Sequence, residues 1–279
     1  MKFLNTMMMM AAISMITAGT AFSQTNALGV KKGSRATYEM STKSDVVQTV
    51  QGQDLTVNST GTATLELGVR NLAKDHIDWT FTLAKMRLVM GSPSAPSMKK
   101  DTTVRGKPMP FTTDLNGKVT AMFSPEADQT GKMMMGLRRT SVAEFFSPAL
   151  TRTLKPGDSW EEKSTDTIEN AQLQGAKIYV ERTTKYTFDG DVDTLKAKTV
   201  RLRTEVTSMS ISGAGSIQGL KLDIHGDGTS TATNYYTGDG LLLVSGSIGE
   251  MNMRVMTTGQ VEMVIPITYK FSSSTVRKS

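Results

Sequence analysis

Residues 189–193 carry the alternating carboxylates of a calcium-binding loop, in the order Asp-Gly-Asp-Val-Asp. A calcium loop also needs a glycine for its sharp turn and a bidentate glutamate further on, and both positions hold other residues here. Asp223, His225 and Asp227 are a second set of oxygen and nitrogen ligands, because period-two spacing brings them to one face of a strand. No further cluster completes either set. We therefore expect a solvated hairpin tip and an exposed polar face, and no metal site.

Methionine could supply thioether ligands to copper in an exported protein. The chain has 20 methionines, which include the run 133–135 and the pair Met251 and Met253. Core packing produces the same spacings, because methionine commonly fills gaps between other side chains. We expect packing roles for these residues and no cofactor.

Groups that could perform catalysis are scarce. The chain has no cysteine and two histidines, His76 and His225, each of which lies inside a strand pattern. Neither is placed to organise a nucleophile and a carboxylate into a triad. Residues 97–100 have one Ser-x-x-Lys spacing, but the partner motifs of penicillin-binding enzymes are missing. Phosphate-binding and dinucleotide-binding glycine motifs are also missing. We expect no catalytic residues and no enzymatic activity.

The N-terminal segment has the features of a secretory signal. One basic residue precedes an uncharged run at 6–21, which is too short to span a bilayer. Ala21 and Ser23 are small residues at the two positions that a signal peptidase inspects, so we predict a signal peptide at 1–23 and cleavage before Gln24. We expect an exported bacterial protein, periplasmic or extracellular. No second long apolar run follows, so no transmembrane span is predicted.

The charge pattern argues against a nucleic-acid partner. The chain has 32 Lys and Arg against 26 Asp and Glu, a net charge of +6. The two signs are interspersed, and the largest basic clusters are pairs. Nucleic-acid-binding proteins usually concentrate their basic residues on one face.

An internal repeat at an offset of 123 organises the remaining sequence. Apolar residues alternate with polar ones at 77–83, and the apolar positions then change parity at 86–90. The same alternation and change of parity recur at 200–211. A change of parity within a strand is what a one-residue β-bulge produces. We predict two tandem units, at 27–150 and 151–279.

The predicted fold class is all-β, mainly antiparallel, with two tandem copies of a long-stranded curved sheet unit. Serine, threonine and glycine are frequent in and between the strands, as in sheets with one solvated face. The candidate strands are 34–43, 45–57, 59–70, 76–90, 102–113, 118–123, 158–168, 175–188, 198–213, 217–235, 240–248 and 250–272.

Residues 125–146 are the one helix candidate. Ser124 suits an N-cap and Pro125 suits the first helical position. On a helix, one apolar side would carry the predicted ligand-binding residues Met133, Leu137, Val142, Phe145 and Phe146. Gly131 and Gly136 each destabilise such a helix by about 1 kcal/mol relative to alanine. Two roles stay open: a fixed lid that packs over one end of the first sheet, and a movable gate over an apolar cavity.

Two motifs in the second unit support a family resemblance. Residues 156–160 are Pro-Gly-Asp-Ser-Trp, and residues 236–241 are Tyr-Thr-Gly-Asp-Gly-Leu. Together they resemble a family of secreted bacterial β-rich proteins of unknown function. The resemblance implies a bacterial envelope protein and supplies no activity or site residue. From the residues themselves, Gly157 suits a turn and Trp160 suits a large core anchor.

The residue patterns favour two functions. A curved antiparallel sheet with a helix across it commonly encloses an apolar ligand, which favours a carrier of a lipid or another amphipathic molecule. The alternative is a cell-envelope interaction or scaffold module that uses long Ser/Thr-rich faces. A carrier predicts a continuous apolar cavity, whereas a scaffold predicts filled sheet interiors and a flat exposed patch. The sequence leaves the oligomeric state open.

Overall fold

The computed structural model describes residues 28–50, 52–93, 95–122, 142–170, 174–217, 220–258 and 263–278. The predicted signal peptide lies outside these residues. Within them, twelve strands are named in chain order: β1 Arg35–Val50, β2 Gln53–Leu72, β3 His76–Ser92, β4 Ala95–Val104, β5 Met109–Asp114, β6 Val119–Met122, β7 Ser159–Asn170, β8 Gln174–Thr194, β9 Ala197–Ile217, β10 Leu220–Thr237, β11 Leu242–Thr258 and β12 Met263–Lys278. No helix among the described residues is long and apolar enough to cross a membrane.

All twelve strands belong to one antiparallel sheet. Its order is β6-β5-β3-β2-β1-β12-β11-β10-β9-β8-β7, and β4 pairs with β3 off this path. Each half of the chain runs up and down through neighbouring strands, and β12 then returns to pair with β1. The N-terminal and C-terminal parts of the chain therefore form one continuous sheet. The all-β, antiparallel prediction is confirmed.

The predicted changes of parity occur at β-bulges. Ala84 is the unpaired residue of β3, at the point where its register with β2 shifts. Thr207 is the unpaired residue of β9, at the point where its register with β8 shifts. The two bulges are separated by the same offset of 123. The bulge predictions are confirmed.

Strand pairing repeats at this offset in one place and departs from it in another. Trp79 pairs with Phe111 and Leu202 pairs with Asn234, so these two pairs correspond. The register of β8 on β9, however, differs by four residues from that of β2 on β3. The division into two tandem units stays a prediction.

The predicted helix at 125–146 is described only from Val142 onward. Val142 and Ala143 form a single helical turn. Phe146 then makes an isolated antiparallel bridge with Leu241, and the Leu242 N–H donates to the Phe145 carbonyl at 2.9 Å. The helix prediction is wrong for residues 144–146, because the chain leaves the helical turn after Ala143 and the Phe145 carbonyl bonds to the β10–β11 turn.

Long strands give the sheet two distinct halves. A strand of 16 residues, such as β1, is about 53 Å long at 3.3 Å per residue. We call the half that contacts residues 142–150 the near half, and the half in which β1 leads into β2 the far half. The face that carries Tyr38, Leu65 and Trp79 is the inner face, because these side chains are almost completely buried.

Candidate ligand-binding trough

The sheet is strongly curved, with its inner face on the concave side. The Leu28 N–H donates to the Leu115 carbonyl at 2.8 Å, and the Gly29 N–H donates to the Asp239 carbonyl at 3.1 Å. Two consecutive residues thus join the β5–β6 turn to the β10–β11 turn, although six strand positions separate these turns in the sheet. In a flat sheet they would be roughly 29 Å apart, at about 4.8 Å per strand.

Aromatic packing fills the near half of the concave face. The Phe145 ring lies 4.7 Å from the Tyr38 ring and 6.0 Å from the Phe81 ring, centroid to centroid. The Phe146 ring lies 5.1 Å from the Trp79 ring in an edge-on arrangement. Such pairs add to the hydrophobic stabilisation that burial alone supplies. Residues 142–150 therefore close the near half as part of one hydrophobic core.

Backbone and side-chain hydrogen bonds fix residues 142–150 to the opposite wall. The Ser147 N–H donates to the Gly240 carbonyl at 2.9 Å. The Tyr236 hydroxyl donates to the Glu144 carbonyl at 3.2 Å. Since the Phe145 and Phe146 rings contact β1, β3 and β5 while their backbone bonds to the β10–β11 turn, this segment holds the two walls of the curved sheet together.

The inner face continues as an apolar surface beyond this core. Side chains alternate along a strand and directly paired residues share a face, so the register assigns each far-half residue to one face. We call the apolar residues of the far inner face the trough. They are Val46, Leu55, Val57, Leu88, Met90, Ile178, Val180, Val206, Met209, Ile211, Leu222, Ile224, Met251, Met253, Val255, Met263, Ile265, Ile267, Tyr269 and Phe271.

Burial separates the trough from the near core. Val180, Val206, Ile211 and Ile224 are buried, and the other trough residues are half-buried. None of them belongs to the hydrophobic core cluster of the near half. From Met263 to Phe271 the trough runs for about 27 Å along β12. The far half therefore presents a long concave apolar surface that the near core does not cover.

The outer face of the same strands is mostly polar. Along β11, the residues between Met251, Met253 and Val255 are Asn252 and Arg254, and both are exposed. Exceptions include Ile248 and Val264, which are 63% and 55% exposed. The far half of the sheet therefore has one solvated face and one apolar face.

Glycines let large trough side chains lie flat against the sheet. A Cβ at Gly226 would come within 2.8 Å of Met253 Cγ, and one at Gly228 within 2.8 Å of Met251 Cγ. A Cβ at Gly249 would come within 2.5 Å of the Phe271 ring. Glycine in a strand commonly marks such a close approach. The large side chains therefore rest directly on the sheet.

A polar and aromatic cluster lies on the inner face of β7 and β8. The Trp160 and Tyr186 rings stack at 5.1 Å, and the Arg152 guanidinium lies 4.5 Å from the Trp160 ring. Glu162 accepts hydrogen bonds from Trp160 Nε1 at 3.0 Å and from Arg152 Nη2 at 3.2 Å. Burial raises the pKa of Tyr186 to about 12, so its hydroxyl is neutral at physiological pH.

A second polar network anchors the end of β12 to the β10–β11 turn. Arg277 Nη1 donates to Asp239 Oδ2 at 3.1 Å, and Nη2 donates to Thr237 Oγ1 at 2.7 Å. Burial raises the pKa of the neighbouring Tyr38 hydroxyl well above its usual value. This network lies in the near half and is separate from the trough.

The structure places the predicted ligand-binding residues in two groups. Met133 and Leu137 lie outside the described residues. Val142, Phe145 and Phe146 come together in the near core, where each is at most 6% exposed. Their contacts with the sheet are those of a packed lid, and a ligand-binding role for them stays a prediction.

The predicted metal ligands lie on strands. Asp189 is in β8, where Arg203 donates to both of its carboxylate oxygens and lowers the pKa of the carboxyl. Asp223 lies 3.1 Å from His225 on the outer face of β10. Among the described residues, no group of three His, Asp or Glu side chains has a metal-binding arrangement.

The trough was not identified from the sequence, although part of its signal is there. The alternation of Met251, Met253 and Val255 with polar residues predicted a strand, and it marks an apolar face on β11. Curvature was the missing information, because a flat sheet would show the same alternation. Two grooves of about 560 and 480 Å³ lie mainly on the outer face, where residues such as Lys185 and Asp227 line them, and the smaller groove also contacts Met253 and Ile267. Their linings suit an apolar molecule less well than the trough does.

Comparisons with known proteins leave the function open. No family model matches the chain, and no curated protein matches it. Among solved structures, lipovitellin in a study of its lipid–protein interactions is 10% identical, with a TM-score of 0.45 over 89% of this chain. The chain spans 25% of the length of that lipovitellin chain.

Two outer-membrane proteins also align over most of the chain. An outer membrane channel from Pseudomonas putida F1 is 10% identical, covers 90% of this chain and 98% of its own, and has a TM-score of 0.26. OmpF of Salmonella typhi in complex with daunomycin is 5% identical, covers 88% and 98%, and has a TM-score of 0.23. At these identities and TM-scores the likenesses assign no function to this chain.

Proposed function

We propose that the protein is a non-enzymatic carrier that binds the apolar part of a lipid or another amphipathic molecule in the trough. The observation that carries this proposal is the half-buried apolar inner face of the far half, which extends beyond the packed core. Large contiguous apolar patches on a protein surface mark sites of interaction. Concave apolar surfaces are typical of sites for small molecules.

The energetics of the trough favour a ligand. Burial of apolar surface stabilises by about 25 cal/mol per Å². Residues such as Met253 and Ile267 leave part of their surface exposed in the described structure. A ligand tail that lies along β11 and β12 would remove this surface from water. The near half offers no comparable gain, because Phe145 and Phe146 already cover it.

The composition of the trough supports tolerance of different tails. Met90, Met209, Met251, Met253 and Met263 all belong to it. Methionine is flexible and polarisable, and it is common at surfaces that bind varied apolar partners. Gly228 and Gly226 lie beneath Met251 and Met253 and leave these side chains room that a Cβ would take. We therefore expect selectivity for tail shape to be low.

The alternative function, a scaffold module, has less support. A scaffold is expected to have a filled sheet interior and a flat exposed patch. The near half is filled, but the trough residues of the far half are outside the core cluster. The exposed apolar residues of the outer face, such as Ile248 and Val264, are interspersed with polar ones.

A fluorescent fatty acid tests the proposal. Ile267 lies in the trough, where it pairs with Gln48 and Met253, and Thr268 lies beside it on the outer face. We expect the wild-type protein to bind the probe, Ile267→Asp to lose binding by tenfold or more, and the matched control Thr268→Asp to retain it. Absence of binding by the folded wild-type protein, or equal loss in both variants, would contradict the proposal.

Export and duplication belong to the same proposal. Residues 1–23 are proposed to direct export and to be removed, so the intact mass of the secreted form should begin at Gln24. An exported form that retains Met1 would contradict this. The bulges at Ala84 and Thr207 support two tandem units that together form one carrier. An experimental structure in which the pair Trp79–Phe111 does not superpose on the pair Leu202–Asn234 would argue against duplication.

A further inference from the structure

Arg182 brings a positive charge to the inner face at the edge of the trough. It lies two residues from the buried residues Val180 and Thr184 on β8, so the three side chains share one face. Its partner on β9 is Met209, and its partner on β7 is Ser164. The side chain is half-buried. The guanidinium group therefore lies between the polar cluster of β7 and β8 and the trough.

The described residues offer this guanidinium one hydrogen-bond partner. Arg182 Nε donates to Ser164 Oγ at 3.1 Å. A guanidinium has five N–H donors, so four remain without a partner among the described residues. No described carboxylate oxygen lies within ion-pair distance of Arg182. The donors on the two terminal nitrogens are thus available for an acceptor from outside.

Other half-buried arginines in the described part of the chain are neutralised by carboxylates. Arg152 pairs with Glu162 at 3.2 Å, Arg201 with Asp189 at 3.0 Å, and Arg277 with Asp239 at 3.1 Å. Arg182 alone among the four described half-buried arginines makes no such pair. Partial removal of a cation from water without a counter-charge is unfavourable. An anion bound at Arg182 would offset this cost.

The acidic groups near Arg182 do not form ion pairs with it. Glu162 is held by Arg152 and Trp160, and Asp166 makes interactions of its own. Glu144 attracts Arg182 electrostatically, but the two side chains form no ion pair. None of these carboxylates occupies the terminal nitrogens of Arg182.

We propose that the ligand of the trough is an amphiphile with an anionic headgroup, carboxylate or phosphate, which the Arg182 guanidinium binds. Arginine presents paired N–H donors that match the oxygen spacing of both groups. The tail then extends from the headgroup over Val180 and Ile211 toward the far half. This inference rests on the proposed carrier function and adds the chemical class of the ligand.

Paired probes test the headgroup separately from the tail. The probes are a fluorescent polyene fatty acid and its methyl ester, which share a tail and differ in charge. Wild-type protein should bind the acid about tenfold or more tightly than the ester, as expected for a charge-assisted hydrogen bond. Arg182→Gln should lose this preference while its affinity for the ester is unchanged, and Arg182→Lys should retain part of it. The exposed outer-face substitution Arg254→Gln is the control, and thermal melting verifies that each variant is folded.

The possible outcomes distinguish this inference from the carrier function. Equal affinity of the wild type for acid and ester, or a preference that survives in Arg182→Gln, overturns the anionic headgroup and leaves the carrier function intact. Failure of the wild type to bind either probe overturns both. Displacement of the probe by oleate or by phosphatidic acid, but not by oleyl alcohol, supports the inference and identifies which anion is preferred. Displacement by oleyl alcohol as readily as by the two anions overturns it.

Discussion

The near and far halves of the inner face belong to the same strands and differ in what lies against them. In the near half, Trp79, Phe81 and Phe111 pack against Phe145 and Phe146. In the far half, the same face carries methionine and branched aliphatic residues that are mostly half-buried, partly over glycines. The alternation of apolar and polar residues is equally clear in both. What differs is that one half has its covering element, residues 142–150, among the described residues.

This difference shows how one sheet can combine stability with binding. The near half contains the largest fully buried side chains among the described residues, and its core fixes the curvature. The far half has the same curvature because the strands are continuous through both halves. A concave apolar surface therefore exists without a core of its own to maintain it.

The largest effect is expected from truncation in the near half. Phe146→Ala should reduce the free energy of unfolding by roughly 3–5 kcal/mol, because it removes a ring that packs on Trp79 and Phe111. Met253→Ala in the trough should reduce it by only about 1 kcal/mol, because the side chain is half-buried. Urea unfolding measures both values. Similar losses in the two variants would break the distinction between core and trough.

A smaller effect is expected where a glycine supports the trough. Gly249→Ala should destabilise by about 1–3 kcal/mol, because the new Cβ would meet the Phe271 ring and Ser230 Cβ. Gly246 lies on the same strand with nothing within 4 Å of a built Cβ. The control Gly246→Ala should therefore change the stability little. If thermal unfolding gave equal shifts for both variants, the Phe271 ring would not rest on Gly249 as described.

The smallest effect is expected on the outer face of the far half. Lys270 and Glu250 form an exposed ion pair at 3.5 Å. Surface pairs of this kind contribute about 0–1 kcal/mol, so Lys270→Ala should leave both stability and probe affinity almost unchanged. A loss of affinity comparable to that of Ile267→Asp would mean that the ligand binds to the outer face.

Local alternation predicted the strands well wherever a single side-chain period held. The strand at 76–90 and its bulge were predicted from the change of parity near Lys85. The break predicted at Ser44 is wrong, because β1 continues through it and Ser44 shares a hydrogen bond with Ser59 on β2. The break predicted at Gly249 is also wrong. That glycine accommodates the Phe271 ring within a continuous strand.

Long-range features of the site had no comparable signal in the sequence. The pairing of β1 with β12 joins residues more than 200 positions apart, and alternation within a strand does not specify its neighbour. Curvature depends on contacts such as that of Leu28 with Leu115, which no local pattern encodes. Met251 and Met253 were therefore interpreted as core packing, although the register places them in the trough.

Native mass spectrometry of the purified exported protein tests the central claim most directly. The wild-type protein should retain a bound amphiphile that solvent extraction releases, and Thr268→Asp should retain it as well. Ile267→Asp should be folded and show only the mass of the protein. Bound amphiphile in equal amounts in all three proteins would contradict the assignment to the trough, and its absence from the wild type even after incubation with fatty acid would contradict the carrier function itself.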